Sequence, residues 1–126
     1  MLNVKIDTKE IFHVITPLDT HYSANMAEEL HVFIEKTFDL EGRSFVINLE
    51  HVNSCSQSLV EHFVQLQAFF KDKNLSFVVC AIHENLKKDP ALRDLFSMLN
   101  TAPTESEAWD IVQMEEIERE LGAGPE

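Results

Sequence analysis

Cations, glycine and cysteine are all scarce in this chain of 126 residues, and each scarcity removes a class of function. Ten lysines and arginines stand against 22 acids, a formal net charge of −12. The cations are scattered, and their densest group is Lys71, Lys73, Lys87 and Lys88. A nucleic-acid binder or an anionic-membrane binder needs a basic face, which this pattern does not offer. The three glycines are Gly42, Gly122 and Gly124, and none follows a strand-like apolar run. A phosphate-cradling loop and a G-x-S-x-G nucleophile elbow are therefore both missing. Two cysteines, Cys55 and Cys80, allow no disulfide framework and no metal-type spacing. Both sit beside apolar runs and are expected to be reduced and at least partly buried, which fits the cytoplasm. The histidines (His13, His21, His31, His51, His62 and His83) form no ligand set at metal spacing, so neither a metal nor another cofactor is expected. No apolar run approaches the ~20 residues of a membrane span. The alternating, charged start MLNVKIDTKE is not expected to be a signal peptide.

What is present is a core. Hydrophobic residues make up 44% of the chain and include nine phenylalanines, enough to fill a domain of this length. One domain is expected over 1–121, with a frayed tail at 122–126. Leu2 to Ile6 alternates like a half-buried strand, and Ile11 to Ile15 reads as its hairpin partner, ended by Pro17. Leu18 to Ser23 reads as a loop around Asp19, with Thr20 or Ser23 available to cap a helix. That helix carries Met26, Leu30, Phe33, Ile34 and Phe38 on one side and is closed near Gly42. Phe45 to Leu49 reads as a buried strand. Leu59, Val60, Phe63, Leu66, Phe69 and Phe70 then mark a second helix starting near Ser56 or Gln57. Leu75 to Ile82 is almost continuously apolar, so it is a strand covered on both faces or nearly so. Ala91 to Leu99 reads as a third helix after a polar stretch, and Asn100 to Pro103 as a break with room for a short edge strand. A last helix runs from about Glu105 to Leu121. Its acids, Glu115, Glu116, Glu118 and Glu120, read as a solvated face, and Trp109 as a core or staple residue. Met114, Ile117 and Leu121 are either inward-facing or exposed to a partner or a second copy. The order β-β-α-β-α-β-α-(β)-α predicts an α/β fold with a mixed, mostly parallel sheet of four to five strands and about four helices.

Chemistry concentrates in one stretch, Phe45 to Leu66. A buried strand runs into a polar turn holding Ser54, Cys55, Ser56 and Ser58, and the turn opens a helix. Helix N-termini present backbone N–H groups to solvent, so hydroxyls there meet a positive dipole end. Cys55 near His51 is the local candidate for nucleophilic catalysis, but the turn lacks the glycines of a nucleophile elbow, and a buried cysteine lining a strand end is the simpler reading. The serines allow two readings. A serine at this position caps the helix, contributing about 1 kcal/mol. A phosphorylated serine there would instead add nearly two charges and switch a docked partner.

The stretches VITPLDTHYSANMAEEL, FVINLEHVNSCSQSLVEHF and LSFVVCAIHENLKKDPALRDLF resemble the STAS domain, the family of anti-sigma factor antagonists. The family pattern in the middle stretch is a strand ending in D/N-L, a short spacer, then D-S-S/T-G-L opening a helix. Asn48-Leu49 matches the strand end, and Asp19 matches an acid in the family's loop after the second strand. Through this alignment Ser56 falls where the family has the acid, and Gln57 where it has the phosphorylated serine. Ser58 falls at the second hydroxyl, and Leu59 replaces the glycine. Gln57 can neither accept a phosphate nor mimic its charge, which leaves Ser58 and Ser56 as the possible phosphorylation sites. The resemblance implies a sheet with helices on one side. It also implies a non-enzymatic module for transcription regulation or signalling in a bacterial cytoplasm. The partner would be an anti-sigma serine kinase or a multi-protein signalling assembly. Asp19, His21, Ser56, Gln57, Ser58, Val60 and Glu61 are the residues expected to touch it. The alternatives are a subunit of a lipid-transport or ligand-binding assembly, a homodimer, and a phosphoswitch moved to Ser58.

Overall fold

A computed structural model describes residues 3–9, 11–41 and 43–122. Val4–Thr8 (β1) and Phe12–Pro17 (β2) form an antiparallel hairpin, with Val4 opposite Pro17 and Thr8 opposite His13. The first strand therefore runs two residues further than its alternation predicts. Local bonds extend it: the Thr8 hydroxyl lies 2.9 Å from His13 Nδ1, the Lys9 amide donates to the Phe12 carbonyl, and Lys9 pairs with Asp7 at 3.1 Å.

His21–Tyr22 (β3) precedes the helix Ala24–Glu41 (α1), whose N-terminus is capped by Ser23: its hydroxyl accepts from the Met26 amide at 3.3 Å. Ser44–Asn48 (β4) is buried at every position. Ser54–Cys55 (β5) leads into Gln57–Asp72 (α2), and Phe77–Cys80 (β6) follows. This last strand is shorter than the apolar run Leu75 to Ile82 predicts. Ala81 takes φ 57°, a left-handed conformation no strand can continue through. The polar stretch after it holds a one-turn helix, Glu84–Lys87 (α3), with the His83 ring accepting from the Asn85 amide. Pro90–Phe96 (α4) starts on proline and is capped by Asp89. Thr101–Ala102 (β7) is the short edge strand, and Glu105–Gly122 (α5) closes the chain, its first turn capped by the Thr104 hydroxyl. The expected tail beyond Gly122 lies outside the described residues, as do Leu2 and Gly42.

The main sheet has the order β1-β2-β4-β6-β7, antiparallel at the first pairing and parallel at the other three. α1, α2 and α4 pack on one face, where Ile15, Phe45, Ile47, Phe77 and Val79 meet Leu30, Ile34, Leu59, Phe63, Phe70 and Phe96. Phe70 sits at the centre, with ring centroids 5.0 Å from Phe45 and 5.4 Å from Phe77. α5 packs on the other face, where Phe12, Val14, Val46, Val78 and Cys80 meet Ala108 and Val112. Helices therefore cover both faces, which corrects the one-sided arrangement that the family resemblance implies. The physical reason is in the strands. Phe45, Val46 and Ile47 point alternately to opposite faces and are all out of solvent, so each face needs its own cover.

Candidate docking surface at the C-terminal edge of the sheet

The carboxyl ends of β2, β4 and β6 lie at one edge of the sheet, where loops in open α/β sheets most often bind. Here two of those loops are joined. β3, from the loop after β2, pairs in parallel with β5, from the loop after β4, as a separate two-stranded ribbon. The Asn53 amide donates to the Thr20 carbonyl at 2.8 Å, and the Ser56 amide to the Tyr22 carbonyl at 2.9 Å. On the outside, His21 Nδ1 lies 2.7 Å from the Ser54 hydroxyl. Tyr22 is fully buried beneath, its phenol pushed up to about 12 chiefly by burial. The ribbon thus brings His21 beside Ser54 and Tyr22 beside Ser56, at the start of α2, residues separated by more than thirty positions in the chain.

Within that surface the side chains divide. Gln57 and Glu61 are exposed on the first turns of α2, and His21 is exposed on the ribbon. The Gln57 side chain makes no hydrogen bond among the described residues. Asp19 is half-buried: its Oδ2 is out of solvent contact and has no hydrogen-bond partner among the described residues, so only part of the carboxylate faces outward. Val60 is fully buried in the core under α2 and has no surface for a partner, which removes it from the expected contact set. Its place in the apolar periodicity of the helix predicts that burial. Leu59, which the resemblance sets against the family's glycine, is also fully buried.

Ser56 holds the N-cap position of α2 in extended conformation, but its side chain makes no capping bond. Its hydroxyl lies instead 2.6 Å from that of Ser58. The first turn of α2 also lacks an acid, so neither a cap nor a carboxylate balances the positive end of the dipole.

The nucleophile candidate fails on electrostatics. Burial, and then the charge of Asp89, push the Cys55 thiol up to about 11, so it stays protonated near neutral pH. His51 is turned to Glu50, at 3.9 Å. Cys80 is buried, and burial raises it to about 12. Among the described residues no group of three or more histidine, cysteine or acidic side chains could hold a metal. No helix there is long and apolar enough to cross a membrane.

Two features escaped the sequence. Asn48, at the end of β4, accepts from the Glu50 amide through Oδ1 and donates to Glu105 Oε1 at 3.0 Å, tying the central turn to the start of α5. His31 on α1 and His62 on α2 face each other, Nδ1 to Nδ1 at 2.9 Å with edge-to-face rings. Neither contact has a sequence signal, because each joins residues 31 or more positions apart.

A mixed, mostly parallel sheet flanked by helices, with a helix N-terminus and two stitched loops at its carboxyl edge, defines a small α/β domain. The chain belongs to the STAS domain family, whose model matches residues 2–108. Among curated proteins none matches by sequence. Several solved structures share the fold, among them these three. A Thermotoga maritima protein assigned as an anti-sigma factor antagonist is 14% identical, with a TM-score of 0.76 over 87% of this chain and 94% of its own. The anti-sigma factor antagonist SpoIIAA in its unphosphorylated form is 16% identical, with a TM-score of 0.66 over 88% and 98%. The murine anion transporter Slc26a9 is 13% identical, with a TM-score of 0.61 over 82% of this chain but 18% of the transporter. At these identities the likeness is one of fold.

Proposed function

We propose that residues 1–121 act as one non-enzymatic regulatory module that docks a protein partner through His21, Asp19, Ser56, Gln57, Ser58 and Glu61. The observation that carries the reading is the β3–β5 ribbon, which holds two distant loops and the start of α2 as one surface. The partner is a serine kinase of the anti-sigma type or a multi-protein signalling assembly, and the setting is the cytoplasm. Docking is constitutive, because Gln57 stands where the family's phosphorylated serine would and offers no acceptor.

Capture from a lysate of the source cells tests this. The wild-type chain is compared with Gln57→Arg/Glu61→Arg, two exposed positions whose replacement leaves the core intact. The expected result is a discrete partner whose recovery falls at least about tenfold in the double variant, a change of about 1.4 kcal/mol. Equal recovery from a variant with unchanged circular dichroism overturns the reading.

A second reading, phosphorylation at Ser58, is favoured by the uncapped, acid-free first turn of α2. A phosphate there would face the unsatisfied amides of the helix start. Intact-mass measurement after incubation with the captured kinase decides it. A one-phosphate increase lost in Ser58→Ala supports the switch, and an unmodified mass rejects it.

A further inference from the structure

α5 has two apolar sides. Ala108 and Val112 are buried against the sheet. Met114, Ile117 and Leu121 follow one another at steps of three and four, so they share a stripe, and about 100° per residue puts that stripe on the far side of the helix. Their exposures are 59%, 56% and 77%, well beyond what a helix packed through one face requires. Scattered exposed apolar residues need no explanation, but three in register along two turns make a continuous ridge about 10 Å long.

The charges around the ridge say what fits it. α5 carries seven acids (Glu105, Glu107, Asp110, Glu115, Glu116, Glu118 and Glu120) and a single cation, Arg119. Arg119 is occupied: it donates to Glu116 at 2.9 Å and to the Ser76 hydroxyl at 3.1 Å. Glu107, Asp110 and Glu118 are exposed and border the ridge on the same side of the helix. A second copy is a poor occupant, because two such faces would set acid against acid with no cation free on either helix. A chain of net charge −12 adds general repulsion.

We propose that the outer face of α5 is a docking surface for a basic amphipathic helix of a partner protein. The partner's apolar face covers Met114, Ile117 and Leu121, and its lysines and arginines meet Glu107, Asp110 and Glu118. This surface lies on the opposite side of the sheet from α1 and α2. It does not depend on the α2 surface, and both can be occupied at once, so the domain links two partners.

The test uses the full chain and a fluorescein-labelled Leu/Lys peptide patterned as an amphipathic helix. A scrambled peptide of the same composition and a Leu/Glu peptide of the same pattern serve as controls. Anisotropy is expected to show binding at least about tenfold tighter to the patterned Leu/Lys peptide than to either control, weakening with added salt. Met114→Glu/Ile117→Glu separates stripe from charge. It adds two negative charges, so binding by charge alone would strengthen, whereas docking on the ridge falls at least about tenfold. Asp110→Lys/Glu118→Lys weakens binding through the flanks alone and leaves the apolar ridge in place. The proposal is overturned if the double glutamate variant binds as well as wild type or better, or if the scrambled peptide binds equally. It is also overturned if sedimentation shows the wild-type chain to be a dimer that the double glutamate variant dissolves, since a second copy then occupies the face.

Discussion

Ser56 stands where a helix wants a hydrogen-bond acceptor and spends its hydroxyl on Ser58 instead. An aspartate at that position would reach the free amides of the first turn and place a negative charge at the positive end of the dipole. Ser56→Asp is therefore expected to stabilise the fold by about 0.5–1 kcal/mol, read as a rise in the urea midpoint with no change in slope. A fall in the midpoint would mean that the Ser56–Ser58 pair matters more to the turn than the uncapped amides do. At this scale the sequence is a mixed guide. Residue types at Ser56, Gln57 and Ser58 mark the turn, and the family resemblance implies that the usual acceptor is replaced. They do not show that the Ser56 hydroxyl turns sideways, nor that Asn48 reaches Glu105, because those choices depend on neighbours supplied by folding.

Among the elements, the long ones are legible and the short ones are not. α1, α2 and α5 each sustain an apolar period over four or more turns, β6 is an unbroken apolar run, and β4 is one framed by Ser44 and Asn48. β3 and β5 have two residues each, too few to show a period, yet they build the ribbon that joins the candidate surface. The α1–α2 packing carries its own measurable signature at His31 and His62. Burial, and then the neighbouring His31, lower the proton affinity of His62 below its ordinary value of 6.5, against the weaker opposing pull of Glu28 and Glu61. Glu35 lies 3.4 Å from the other nitrogen of His31. With a depressed folded value, the unfolded chain holds more protons in the window below 6.5. Stability is complete above that window, is lost as pH falls through it, and levels off below the folded value. Denaturation at about pH 7.5 and about pH 5.5 should show this fall in wild type and a shallower one in His62→Gln. Equal slopes in the two proteins would assign the pH dependence to other groups.

On the scale of the molecule, one sheet carries two cores. The sequence holds the evidence for this in the continuous apolar run of β6, which needs cover on both faces, whereas the family resemblance implies helices on one side. The residues prove the better guide here, since α5 closes the second face. The larger core is organised by Phe70, which touches phenylalanines from two neighbouring strands. Phe70→Ala would leave a void that rigid strands cannot collapse into, and a loss of about 3–5 kcal/mol is expected by chemical denaturation. A loss below ~1 kcal/mol would show that α2 can shift to refill the space.

The order of strands also has a consequence in time. Only the β1–β2 hairpin pairs residues close in sequence. β2 meets β4 across 32 residues, as Phe12 with Ser44, and β4 meets β6 across 32 more, as Phe45 with Phe77. Every parallel pairing must close a loop before it gains a contact, and β4 and β6 each take part in two of the three in the main sheet. The central strand, which carries the candidate turn, is thus also one of the two on which folding waits. A substitution that loosens β4 should slow the appearance of the domain as well as weaken it.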